Sequence, residues 1–180
     1  MTLRVVGRAL RFPPLLLALG FSACATMNAG TVTPRPTINL GVSTQRLALA
    51  LSPAVAPDAF DVDCGPNPLQ FCTLHVTGFR TSLASGFAAA FQPFYPLVRD
   101  NADLTLRLQT LSIEFDGGQR LIVRYAAQLD DRDGRTLGRS FGTLPVRRLT
   151  YPPEATLAEG LTRMFEKVAA DCFVPLSIVR

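Results

Sequence analysis

Tryptophan is absent from this 180-residue chain, and histidine (His75) and lysine (Lys167) occur once each. A single histidine excludes any site built from two imidazoles, and with it the common two-histidine metal and relay arrangements. Charge is also sparse: 18% of residues are charged against 48% hydrophobic. An apolar fraction of that size rules out wholesale disorder and is ample for one core. No clustered basic surface exists either. The net charge of +4 includes Arg4, Arg8 and Arg11, which lie in a segment read below as removed. Without them the charge is about +1, and the remaining arginines are scattered among acids. Nucleic acid, which requires several phosphates to be neutralised together, is excluded as a partner.

What is present begins with an address. Residues 1–23 have an acid-free basic start, a short apolar run Leu15-Leu16-Leu17-Ala18-Leu19-Gly20-Phe21, and the small pair Ser22-Ala23. This is the three-part form of an export signal, and its run is too short for a permanent membrane span. Pro13 and Pro14 stand at the start of the run, where proline is tolerated. Cys24 follows directly. Phe21-Ser22-Ala23-Cys24 resembles the lipobox of bacterial lipoproteins, which implies cleavage before Cys24 and acylation of its thiol. Several acyl chains on one cysteine make a stable anchor. Ala25 rather than Asp after the cysteine implies, by the same likeness, the outer membrane. Residues 24–38, with Gly30, Pro34 and Pro36, read as the lipidated cysteine and a tether, leaving 39–180 as one periplasmic domain.

An exported chain meets an oxidising compartment, so its other cysteines are disulfide candidates. Cys64 and Cys72 enclose seven residues rich in turn formers, and a bridge between them would contribute about 2–3 kcal/mol. The alternative pairs Cys172 with one of the two. A zinc site from three cysteines and His75 lacks any CxxC spacing. No metal and no cofactor is expected.

The fold follows from hydrophobic periods. Arg46 to Leu51 reads as a strand, and Pro53 to Pro68 as a proline-punctuated loop whose acids Asp61 and Asp63 are turn residues. Leu74-His75-Val76 is either a short edge strand or the lead into a helix, with His75 opposed to its neighbours. Phe79, Leu83, Phe87 and Phe91 recur every four residues and predict a helix, capped by Thr77 or Thr81 and ended by Pro93 and Pro96. Leu104, Leu106 and Leu108 alternate on even positions, whereas Leu111, Ile113 and Phe115 alternate on odd ones. The switch of parity predicts a β-bulge near Gln109-Thr110. Asp116-Gly117-Gly118 and Asp130 to Gly134 are turn signals between this strand and two more, Leu121 to Leu129 and Thr136 to Arg147. A last helix opens after Thr150 at Pro152-Pro153 and buries Leu157, Leu161, Met164, Phe165, Val168 and Cys172. Phe173 to Val179 is apolar enough for a terminal strand. The expectation is an α+β domain, β-α-β-β-β-α, with an antiparallel sheet of about four strands and two helices on one face.

Three stretches carry a further likeness: Asn101 to Leu108, Leu121-Ile122-Val123-Arg124-Tyr125, and Asp133-Gly134-Arg135-Thr136-Leu137, followed by the helix 155–170. In this order they resemble the envelope lipoproteins of the PqiC and YajG kind, which include auxiliary lipoproteins of ABC-type lipid transport. The resemblance implies a non-catalytic lipoprotein on the periplasmic face of the outer membrane. It also implies a partner in an envelope complex for lipid transport or assembly.

Chemistry-bearing motifs are few. Gly138-Arg139-Ser140-Phe141-Gly142 matches G-x-S-x-G, but a nucleophile elbow needs a strand-turn-helix context and a later histidine, and this chain has neither. Asp131, Asp133 and Gly134 make only part of a calcium loop. Lys167 reads as a solvated amine. Phe94 and Tyr95, between Pro93 and Pro96, read as an exposed apolar lip for a partner or a lipid tail. A small-ligand or lipid-binding module with a pocket between sheet and helices is the alternative function, and a hydrolase built on Ser140 the third.

Overall fold

The computed structural model describes residues 25–63, 72–116, 120–149 and 152–175. Seven strands and two helices follow in the order β1 (Ala25–Ala29), β2 (Leu47–Ala50), β3 (Phe60–Asp63), β4 (Cys72–Val76), α1 (Phe79–Phe91), β5 (Leu104–Phe115), β6 (Arg120–Asp131), β7 (Thr136–Arg148) and α2 (Pro153–Cys172). The expected α+β class holds. Strands β2-β5-β6-β7 form a four-stranded sheet, antiparallel except for the β2–β5 pair, and α2 packs across β6 and β7 with α1 against it.

The long hairpins obey the sequence closely. Side chains alternate across a pleated strand, so an even-to-odd switch in burial needs one extra residue. The β5–β6 register shifts between Leu108 and Thr110, leaving Gln109 as that residue. At the β6–β7 turn, Asp131 closes the loop by accepting the N–H groups of Asp133 and Arg135 on its carboxylate, while Gly134 takes a φ of 79°. Short β2 is fastened to the start of β5 by Arg46. Its guanidinium and N–H reach both carboxylate oxygens of Asp103 at 2.9–3.2 Å, which holds that carboxyl below its ordinary pKa.

Both helices bury the stripes expected of them: Phe79, Leu83, Phe87 and Phe91 on α1, and Leu157 to Cys172 on α2. Their caps differ from expectation. Helix α1 starts from Gly78, not from a threonine. Gly78 has a φ of 63°, a left-handed conformation, and a Cβ there would lie 2.1 Å from Thr31 Oγ1, so backbone and space both demand glycine. Helix α2 has Pro152 at its cap and Pro153 in its first turn; Thr150 lies outside the described residues.

Four expectations are corrected. First, a second, three-stranded sheet of order β1-β4-β3 exists. Strand β3 falls inside the stretch read as a loop, and Asp61 and Asp63 are its outward positions, not turn acids. Asp61 faces His75 across the β3–β4 pair and binds its ring Nδ1.

Second, residues 25–38 are not a tether. After β1, which runs parallel to β4, the chain lies along both helices with every second residue turned inward. Val32 is 3% exposed and Leu40 is buried. Helix side chains satisfy the backbone of this extended segment: Val32 N–H donates to Ser82 Oγ (2.9 Å), Arg35 N–H to Thr162 Oγ1 (3.0 Å) and Thr37 N–H to Glu166 Oε1 (2.9 Å). Residues 25–38 are therefore part of the packed domain, which does not wait until residue 39.

Third, the segment after α2 does not open a strand: residues 173–175 continue in turn and helical geometry, and residues 176–180 lie outside the described residues. Phe173 enters the core between Phe91 (ring centroids 4.6 Å apart) and Tyr95 (5.4 Å).

Fourth, and in consequence, Phe94 and Tyr95 do not form an exposed lip. Tyr95 is 8% exposed, drawn in by its N–H bond to the Phe91 carbonyl and by the Phe173 ring. Phe94 is half-buried against the core.

Candidate functional site

The G-x-S-x-G segment is the centre of β7, and packing accounts for each of its invariant letters. Ser140 points under α2 and is 1% exposed. Its hydroxyl donates to Asp171 Oδ2 at 2.8 Å and accepts from the Tyr125 hydroxyl at 3.1 Å. Asp171 also holds Lys167 Nζ at 2.6 Å, which keeps that ammonium protonated above its ordinary range. Burial pushes the Tyr125 phenol up in the same way. A Cβ on Gly138 would lie 2.9 Å from Cys172 Cα, and one on Gly142 would lie 3.3 Å from the Tyr125 ring. The two glycines are small so that α2 and Tyr125 can close over Ser140.

This network cannot serve as a nucleophile and base in its observed form. A base must be unprotonated and within reach of the hydroxyl proton, and the nucleophile must meet substrate. Here Ser140 is buried under α2 away from any substrate, the Lys167 amine is charged, and His75 sits in the other sheet with Asp61. Cys172 is no better: burial and the neighbouring Asp171 push its thiol up to about 11, so it stays protonated at neutral pH. Ser140→Ala is expected to cost about 1–2 kcal/mol by leaving the buried Tyr125 hydroxyl and one oxygen of Asp171 without their partner, with no labelling of wild-type Ser140 by a serine-reactive phosphonate. Denaturant titration and mass spectrometry of probe-treated protein check the two halves; a labelled Ser140 overturns the packing account.

The opposite face and the free edge of β7 are different in character. Among the described residues β7 pairs with β6 alone. Phe141, next to Ser140, therefore points away from α2 and is 77% exposed, the most exposed aromatic side chain described. Its cross-strand neighbour is only Ala126, and Leu137, four residues earlier at a register shift of the β6–β7 pair, is a second exposed apolar side chain. Residues 136–148 contain Arg139, Arg147 and Arg148 and no acid. Arg147 is paired with Glu159, whereas Arg139 and Arg148 enter no ion pair among the described residues. An aromatic on a basic, unpaired strand edge is a surface that can accept another strand. The alternation along β7 carried this signal in the sequence: Ser140 and Phe141 must face opposite ways.

Cys24 and Cys64 lie outside the described residues, and Cys72 is described only as the first residue of β4. The described β3–β4 ladder ends at Asp63↔Thr73. Among the described residues no group of three or more His, Cys, Asp or Glu side chains converges on one point. No described helix is long and apolar enough to cross a membrane.

Neither a family model nor a curated protein matches the chain. Solved structures do. The fold is similar to that of protein XCC0632 from Xanthomonas campestris, of the DUF330 family, with 15% identity and a TM-score of 0.54 over 79% of this chain and 92% of that one. An uncharacterized protein shares 12% identity at a TM-score of 0.51, over 81% of this chain and 97% of that one. A minor lipoprotein from Acinetobacter baumannii aligns at a TM-score of 0.39, with 14% identity over 72% of this chain and 90% of that one. Identities this low show a shared fold for the first two and nothing about function.

Proposed function

We propose that this chain is a non-catalytic, lipid-anchored module of the bacterial envelope. Acylated Cys24 holds it on the periplasmic face of the outer membrane, and the β7 edge binds a partner protein in a complex for lipid transport or envelope assembly. The observation that carries the reading is Phe141, 77% exposed on a strand that pairs on one side only among the described residues. Covering a side chain of that size recovers about 2 kcal/mol, so leaving it open has a purpose where a partner supplies the cover. The burial of Ser140 and Cys172, and the pairing of exposed Lys167 with Asp171, support the non-catalytic half.

The packed N-terminal segment gives the anchor a geometric consequence. With β1 starting at Ala25, an acylated Cys24 is adjacent to folded structure, because one residue of strand advances only about 3.3 Å. The domain then rides at the bilayer surface and reaches its partner there.

A photo-crosslinking residue at position 141 in cells, with the same residue at exposed Gln92 as control, tests the partner surface. A protein adduct from 141 and not from 92, lost on a Leu137→Asp background, is expected. Lipid-only adducts, or equal adducts from both positions, contradict it.

A further inference from the structure

A second surface, on the opposite side of the sheet's free edges from β7, has the chemistry of a ligand site. Between α1 and the end of β2 lies a cleft of about 470 Å³, within the range of small-molecule sites. Its cause is in the sequence. Arg80, Ala84 and Ala88 are spaced by four residues on one line of α1, so after Arg80 the helix surface there is bare. Phe87 forms one wall, Leu49 and Leu51 another, and Leu97 and Val98 a third.

Two arginines stand on this apolar cleft, Arg80 and Arg99. Arg80 is fixed in place without being neutralised: its Nε and Nη2 donate to the carbonyl oxygen of Ala56 at 3.3 and 3.2 Å, and a carbonyl carries no charge. Among the described residues neither arginine enters an ion pair, although Asp100 directly follows Arg99. Arg46, Arg107, Arg120, Arg124, Arg147 and Arg163 are ion-paired, whereas Arg35, Arg132, Arg135, Arg139 and Arg148 are not, so it is the apolar cleft beside them that sets Arg80 and Arg99 apart. An oriented guanidinium with open donors suits a carboxylate or phosphate, and the leucine and phenylalanine walls suit a hydrocarbon tail.

We infer that this cleft binds a single-tailed anionic amphiphile, its head on Arg80 and Arg99 and its tail against Leu49, Phe87 and Leu97. The inference does not depend on the β7 edge or on a partner protein. It is tested on the full chain carrying Cys24→Ala, so that no detergent competes. Two fluorescent probes with one tail are titrated, the first ending in a carboxylate and the second in an alcohol. A lysolipid with a phosphate head and one with a choline head compete in separate arms, distinguishing a fatty-acid site from a phospholipid site. The carboxylate probe is expected to bind at least tenfold more tightly than the alcohol. Arg99→Gln, an exposed change that leaves the fold intact, is expected to remove most of that difference. Ala84→Trp, which fills the cleft from the exposed helix face, is expected to abolish binding of both probes while circular dichroism and Tm stay unchanged. Equal affinity for the two probes, binding untouched by Ala84→Trp, or no binding at all would overturn the inference.

Discussion

Val32→Asp is expected to lower stability by about 3–5 kcal/mol, whereas Thr33→Asp, one residue along, is expected to change it by less than about 0.5 kcal/mol. Val32 is fully enclosed and its N–H is bonded to Ser82 Oγ; a carboxylate placed there has no cationic partner and no water. Thr33 faces solvent. For a folded unit of this size the first change corresponds to a fall in Tm of roughly 10 °C. Paired thermal melts of the two variants and the parent decide between a packed segment and a tether. In a tether both substitutions would be silent. The contrast matters for function, because a flexible leash lets a domain search for its partner, while a packed one fixes it beside its anchor.

Gly138→Val is expected to be the most damaging single change in the G-x-S-x-G segment, at about 3 kcal/mol or more. The new Cβ would lie 2.9 Å from Cys172 Cα and 3.1 Å from its carbonyl oxygen. Both are backbone atoms, so relief requires the end of α2 to lift from β7, and that movement takes Asp171 away from Ser140. Gly142→Ala meets only the rim of the Tyr125 ring at 3.3 Å, which can tilt, and is expected to cost about 1 kcal/mol. Gly41→Ala, with open space around it, is the neutral control. Denaturant midpoints rank the three. A Gly138→Val protein with unchanged stability would mean that helix and strand do not meet as described.

These two cases also show where sequence reasoning held and where it stopped. Periods backed by large side chains were legible: the fourfold phenylalanine spacing of α1, the Leu157 to Cys172 stripe of α2, and the bulge at Gln109. The stretch Thr31 to Leu40 alternates polar and apolar residues just as regularly, Val32, Pro34, Pro36, Ile38 and Leu40 against Thr31, Thr33, Arg35, Thr37 and Asn39. Two prolines disguised it, because they forbid a hydrogen-bonded ladder and so suggest a linker. Here the extended chain needs no ladder, since Ser82, Thr162 and Glu166 on the helices satisfy its N–H groups. Strand β3 was hidden for a related reason: four residues, half of them aspartate, between prolines.

The candidate site divides in the same way. That Ser140 is not an elbow nucleophile followed from its strand context. Phe141's exposure was implicit in the alternation but had no weight until β7 proved to be an edge. The burial of Tyr95 has no local signal, because its cover, Phe173, comes from the far end of the chain. The Arg80–Arg99 cleft pairs residues from separate elements and left no linear signal.

Metabolic labelling with an alkyne-bearing fatty acid, comparing the native chain with Cys24→Ala, tests the central claim most directly. The account predicts label on a membrane-bound, shortened native chain, and an unlabelled protein released from the membrane fraction for the variant. A native chain that carries no label and is recovered at full length among soluble proteins would contradict it.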